Sequence, residues 1–282
     1  MILQKALVAV DFSASSYQLL RSVEEYKPLG LREVVLVHVI DIRQPGGGGT
    51  DYKDFDKKLL NREKENLEAL GLKVKVIVSV GFPASEIVNI AQHENVSVIL
   101  ISSRGNNILT GIFLGNTTAD VMRTSTVPVL IDKGWIRSES TYKTSSKNRF
   151  SKVLVPVDFS KCSDYTLDQL KDMRDVVEEV VLVSVIERCY DFKQLEQMKS
   201  DINDKLAEIK GEPGMSGIKT DIYIGAGAAS ENILRLADEK EVSMIMMGTR
   251  GIGLIKGLLF GSTAEAVAHR AKVPVLLIPG FK

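Results

Sequence analysis

Apolar positions in this chain gather into short runs rich in Val and Ile, separated by longer stretches in which apolar residues recur every three or four positions. In the first half the runs fall at 6–10, 34–40, 74–80, 96–101 and 127–131. Continuous β-branched runs of this length suit strands buried on both faces, as in a parallel sheet. The periodic stretches predict helices over 15–26, 54–70, 85–93 and 117–123. Strand and helix alternate, which predicts an α/β domain with an open parallel sheet and helices on both faces.

The same succession returns in the second half. Leu-Val-Ala-Val-Asp-Phe-Ser at 7–13 reappears as Leu-Val-Pro-Val-Asp-Phe-Ser at 154–160. Val-Val-Leu-Val-His-Val-Ile at 34–40 becomes Val-Val-Leu-Val-Ser-Val-Ile at 180–186, and Val-Pro-Val-Leu-Ile at 127–131 becomes Val-Pro-Val-Leu-Leu at 273–277. The second copy predicts strands over 152–157, 180–186, 219–224, 242–247 and 274–278, and helices over 162–173, 192–210, 230–239 and 263–271. The offset is 146 or 147 positions, far longer than the roughly 20–50 residues of solenoid and propeller repeats, so a whole domain is duplicated. We expect domains at 1–132 and 152–282. Residues 133–151, rich in Ser, Thr, Lys and Asn around Trp135, form the expected linker. The tract Gly46 to Gly49 and the charged 51–58 read as a flexible loop leading into a solvated helix face, or as a lid over the strand ends.

Composition narrows the function classes. Lys plus Arg equals Asp plus Glu at 36 each, so no global field recruits nucleic acid or an acidic membrane. No run approaches the roughly 18 apolar residues of a membrane span. Residues 1–10 lack the pattern of a secretory signal, so the expected location is cytoplasmic. Cys162 and Cys189 read as small packing residues, and Met244, Met246 and Met247 as core. His38, His93 and His269 are scattered, and no metal site is expected.

The candidate chemistry lies at 247–263, between an apolar run and a helix. Gly248, Gly251 and Gly261 are followed by Ser262 and Thr263 where that helix begins. Amides at a helix start, with no β-carbons in the way, suit an anion such as a phosphate. The same glycines would also serve simply to turn a strand into a helix. The loop is not a P-loop, for no Lys stands between Gly261 and Ser262, and a dinucleotide fingerprint would occupy the first strand-to-helix turn. Arg250 and Lys256 would meet phosphate oxygens or remain solvated. If the first and fourth strands are neighbours, Asp158 faces this loop and can accept hydrogen bonds from a ribose or a base. Its alternative role, shared by its copy Asp11, is helix capping beside Ser160 and Ser13. Val185 and Val39 offer a base only their backbone, or are simply core.

The duplicated α/β units, the Val-Asp-Phe-Ser strand ends and Gly248-x-x-Gly251, nine residues, Gly261-Ser262 together resemble the universal stress protein family, in its two-domain ATP-binding type. The resemblance implies a five-stranded sheet of order 3-2-1-4-5 in each copy. It implies adenine near Val185 and Asp158, with Pro156 on the same strand end. Ribose and phosphates would run along Gly248, Arg250, Gly251, Gly261, Ser262 and Thr263. The corresponding first-copy positions are Asp11, Val39, Ser102, Gly105, Gly115, Asn116 and Thr117, with Ala9 where Pro156 stands. There Ser102 adds a β-carbon and Asn116 replaces a hydroxyl residue, so weaker or lost binding is expected in the first copy. The implied ligand is ATP, or ADP or AMP, with or without magnesium, in a regulatory stress-response protein with at most slow hydrolysis. The competing readings are a nucleotide hydrolase or adenylyl-transfer enzyme, with Asp158 as its candidate base, and an interaction scaffold that needs no nucleotide. The final strands would be sheet edges, so pairing of the two copies within the chain is expected, with association into homo-oligomers left open.

Overall fold

A computed structural model describes residues 3–43, 50–103, 114–133, 149–251 and 260–280. The expectations for Gly46 to Gly49, Gly105, Trp135 and Lys256 fall outside these residues. The chain forms two compact units, Met1–Trp135 and Ile136–Lys282.

The first unit runs β1 (Lys5–Ala9), α1 (Ala14–Ser22), β2 (Glu33–Asp41), α2 (Thr50–Ala69), β3 (Lys73–Gly81), α3 (Pro83–His93), β4 (Val98–Ser102), α4 (Asn116–Thr124) and β5 (Val129–Asp132). Its strands pair in parallel in the order β3-β2-β1-β4-β5. The second unit runs β6 (Lys152–Pro156), α5 (Lys161–Lys171), β7 (Glu179–Ile186), α6 (Phe192–Gly211), β8 (Lys219–Ala226), α7 (Ala229–Glu239), β9 (Met244–Gly248), α8 (Ser262–Arg270) and β10 (Val275–Ile278). Its order is β8-β7-β6-β9-β10, again all parallel. Each copy therefore has the implied order 3-2-1-4-5. Strand order reverses between the first and fourth strands, and ligand crevices of open α/β sheets form at the carboxyl ends beside such a reversal.

The apolar runs are buried as their composition requires. Leu7, Val8, Ile99 and Leu100 in the first unit and Leu154, Val155, Met244 and Met246 in the second are fully buried. Each such side chain contributes about 1.5–3 kcal/mol on leaving water. Among the described residues no helix is long and apolar enough to cross a membrane. Cys162 is buried, but Cys189 is exposed beyond the end of β7, which corrects its expected packing role.

Several element ends differ from the sequence pattern for local reasons. The first helix tightens at Val23 into a 3-10 segment, Val23–Leu29, that contains Pro28 and stops at Gly30, where φ is 96°. Pro28 has no amide to continue an α-helical ladder. The fourth strand of each copy starts two residues later than its apolar run. Asn95 and Glu241 adopt positive φ, and the following amides, Val96 and Val242, donate back to Ala91 and Ala237 to close the preceding helix. Helix α2 starts at Thr50, four residues before the predicted start, and takes in the whole charged segment 51–58.

Candidate functional site

At the end of β6 the residues Asp158, Phe159 and Ser160 turn the chain into α5. Asp158 Oδ1 accepts hydrogen bonds from the Ser160 amide at 3.1 Å and the Ser160 hydroxyl at 2.6 Å. Ser160 caps α5 in turn, accepting from the Ser163 amide at 3.2 Å. Of the two roles weighed for Asp158, the one at the helix cap is seen: Oδ1 fixes the capping serine, while Oδ2 lies toward Gly251. A β-carbon built on Gly251 would stand 2.5 Å from Oδ2. The first unit repeats this turn, with Asp11 Oδ1 bound by the Ser13 amide at 3.0 Å and hydroxyl at 2.5 Å, and with Ser13 capping α1. Between Asp and Ser, Phe12 and Phe159 adopt φ of 60° and 59°. A bulky residue in this left-handed region costs on the order of 1–3 kcal/mol and persists only where its surroundings impose it.

The glycine loop opens from β9 through a backbone neck. The Thr249 amide donates to the Ile278 carbonyl at 2.9 Å, and the Gly261 amide donates to the Thr249 carbonyl at 2.8 Å. The Gly261 amide is therefore engaged in the neck and does not point outward, which corrects one part of the expected cradle. The helical ladder begins with the Glu265 amide donating to the Gly261 carbonyl, and no side chain caps the helix at Gly261. The amides of Ser262, Thr263 and Ala264 precede that ladder and lie at the positive end of the helix dipole. Ser262 and Thr263 add hydroxyls beside them. Such a group of donors suits an anion such as a phosphate, sulfate or carboxylate.

The remaining candidates take definite places. Pro156 ends β6 opposite Val183, and the Val157 amide donates to the Val183 carbonyl at 2.8 Å, which carries the Asp158 turn alongside β7. Val185 lies half-buried near the end of β7, as Val39 does near the end of β2. Arg250 is half-buried, with its stem against Gly280, where an added β-carbon would stand 3.2 Å from Cδ. Gly248 sits above Cys162 on the first turn of α5.

The first unit keeps the neck but changes its lining. The Ser103 amide donates to the Asp132 carbonyl at 2.7 Å, and the Gly115 amide to the Ser103 carbonyl at 2.9 Å. Ser102 is buried at the end of β4, and its carbonyl accepts from the Thr118 hydroxyl at 2.8 Å. Asn116 and Thr117 open α4 with no side-chain cap at Gly115.

Thr249 was not singled out from the sequence, whereas Cys162 and His38 were read there without a place in this site. Thr249 is buried, forms the neck and accepts from the Gly280 amide through Oγ1 at 3.4 Å. Its position inside the glycine spacing was the available signal. Cys162 packs beneath the loop with its thiol pushed above the usual range by burial. His38, where the second copy has Ser184, has Nδ1 2.7 Å from the Val10 carbonyl and Nε2 3.4 Å from Asp56, with its ring 4.5 Å from that of Phe12. Among the described residues no cluster of three or more His, Cys, Asp or Glu could hold a metal ion.

Comparison with known proteins agrees with this fold. The chain is 28% identical to a universal stress protein from Archaeoglobus fulgidus whose solved structure superposes with a TM-score of 0.72, over 99% of this chain and 97% of that one. A structure from Pseudomonas aeruginosa PAO1, PA1789, shares the fold at a TM-score of 0.71 and 17% identity, over 98% and 93% of the two chains. The chain is also 35% identical over 153 residues to the universal stress protein MJ0577 of Methanocaldococcus jannaschii, which spans 46% of this chain and 94% of that protein. Residues 3–133 and 149–279 each match the universal stress protein family, so the chain is a tandem member of that family.

Proposed function

We propose that the second unit binds an adenine nucleotide, ATP foremost, and that the protein uses this occupancy to regulate a stress response. The observation that carries the reading is the approach of Asp158 Oδ2 to Gly251, which has no β-carbon, at the carboxyl end of the sheet, in the same unit as a helix start with no side-chain cap at Gly261. In this reading Asp158 accepts from the ribose or base, the backbone of Val185 borders the purine, and Pro156 shapes the same strand end. The amides of Ser262, Thr263 and Ala264 and the hydroxyls of Ser262 and Thr263 bind the phosphates. Gly248, Gly251 and Gly261 keep that surface open, and Arg250 adds a cation at its rim. The residues present fit such a ligand, because a side chain at Gly251 would displace the carboxylate and one at Gly261 would press on the Thr249 carbonyl at 3.3 Å. Magnesium would travel on the nucleotide's own phosphates.

Binding and release are the chemistry this arrangement supports. Oδ1 of Asp158 is already engaged by Ser160, which orients the carboxylate as a fixed acceptor. Titration with ATP followed by calorimetry tests the reading: one nucleotide per chain, abolished by Gly261→Asp, is the expected result. An unchanged stoichiometry in Gly261→Asp overturns it.

A further inference from the structure

In the first unit one imidazole ties the end of β1 to α2. His38 Nδ1 lies 2.7 Å from the Val10 carbonyl and Nε2 lies 3.4 Å from Asp56 Oδ2, with both side chains only 15% exposed. A carbonyl can only accept, so Nδ1 carries a hydrogen. The Asp56 carboxylate also accepts, and a neutral imidazole has no second N–H to give it. With the ring neutral, the Nε2 lone pair is set against the carboxylate; with the ring protonated, both nitrogens donate. The same ring packs on Phe12 at 4.5 Å, the residue held at a φ of 60° in the Asp11 turn.

The neighbouring charged groups are engaged or directed elsewhere. Asp11 is held by Ser13. His38 pairs across the sheet with Val78 of β3, so Asp41, bound to Arg43, and Ser79, bound to Glu86 of α3, direct their side chains to the opposite face. Lys53, Asp54, Lys57 and Lys58, on the same part of α2, are exposed to solvent. In the second unit Ser184 stands in place of His38, and the ring of Phe159 lies instead under Lys205 Nζ of α6, 5.2 Å from its centroid.

We infer that His38 is a proton-operated clasp of the first unit, closed between Val10 and Asp56 when the imidazole is protonated and open when it is neutral. Closed, it pins the amino-terminal part of α2 to the strand end that leads into the Asp11 turn. Open, it releases that helix and loosens the support of Phe12, whose left-handed backbone persists only where its surroundings impose it. The first unit thereby responds to pH at its carboxyl end through a group that the second unit lacks. The inference stands independently of the nucleotide reading.

Hydrogen exchange of the full chain, read as protection relative to the unstructured rate, tests it at about pH 5.5 and about pH 8, either side of the value near 6.5 where imidazoles ordinarily titrate. Protection over residues 53–60 is expected to be at least about threefold higher at the lower pH, with no such step over 199–206 of α6. His38→Gln should abolish the step. Asp56→Asn should abolish it too while keeping the helix protected at both pH values, because an amide can donate to the neutral ring and accept from the protonated one. Thermal melting confirms that each variant folds, and Asp56→Asn carries the test if His38→Gln does not. Equal protection at both pH values in the unaltered chain overturns the inference. So does a step that survives in either folded variant, or one that appears equally in α6.

Discussion

Gly248 lies directly over Cys162: a β-carbon built on the glycine would stand 2.5 Å from Sγ and 3.3 Å from the cysteine's own β-carbon. The first copy places Ser102 and Ser15 at these two positions, a side chain added on the strand and sulfur replaced by smaller oxygen on the helix.

Gly248→Ser should therefore destabilise the second unit by about 1–3 kcal/mol, the usual range for overfilling a packed site. Adding Cys162→Ser should recover part of that loss. Urea unfolding of both single variants and the double variant measures the coupling, and additive losses would show that the two positions do not share this space.

Gly251→Ala acts on the ligand more than on the fold. The new methyl takes the place facing Asp158 Oδ2, so the carboxylate must turn away from the crevice while Oδ1 is held by Ser160. ATP affinity should fall at least about tenfold, equivalent to about 1.4 kcal/mol. Calorimetry checks the affinity, and a melting scan should show a much smaller change.

Ser160→Ala and Ser13→Ala remove equivalent helix caps, each supporting about 1 kcal/mol. Both should lower stability comparably. Ser160→Ala should also weaken ATP binding, since it frees the carboxylate it anchors, while Ser13→Ala should leave binding at the second unit unchanged. Equal effects on binding would detach the Asp158 turn from the ligand.

Acid should weaken each unit through a surface carboxylate tied to two lysines. The Lys75 ammonium, 2.6 Å from Glu94 and assisted by Lys5, holds that carboxyl below its ordinary value. Lys219 and Lys152 do the same for Glu179. A lowered folded-state pKa contributes stability above the unfolded value of about 4.3, and that contribution is lost as pH falls through the folded value. Glu94→Gln should cost about 0.5–1 kcal/mol at pH 7 and less at pH 3, as read by urea unfolding at both pH values. An equal cost at both would show that the ion pair is not the source.

The duplication and the parallel order were readable because β-branched runs recur at a constant offset and alternate with helical periods. The loop was readable from its glycines. Its orientation was not, because the neck is set by backbone bonds from the Gly261 amide to Thr249 and from the Thr249 amide to Ile278 on β10, which no local pattern encodes. Asp158 was left between two roles for the same reason: whether its second oxygen reaches Gly251 depends on the neighbouring of β6 and β9. The buried place of Asp132 was hidden inside a run read only as strand, where register with Ser102 decides its surroundings.

The bond from the Gly261 amide to the Thr249 carbonyl ties the start of α8 directly to the end of β9. Because the flanking strand and helix are already joined there, an exchange of residues 252–259 for 106–113 of the other copy should leave that bond in place. Transplants in both directions would then separate what the insert contributes to recognition from what the surrounding scaffold contributes.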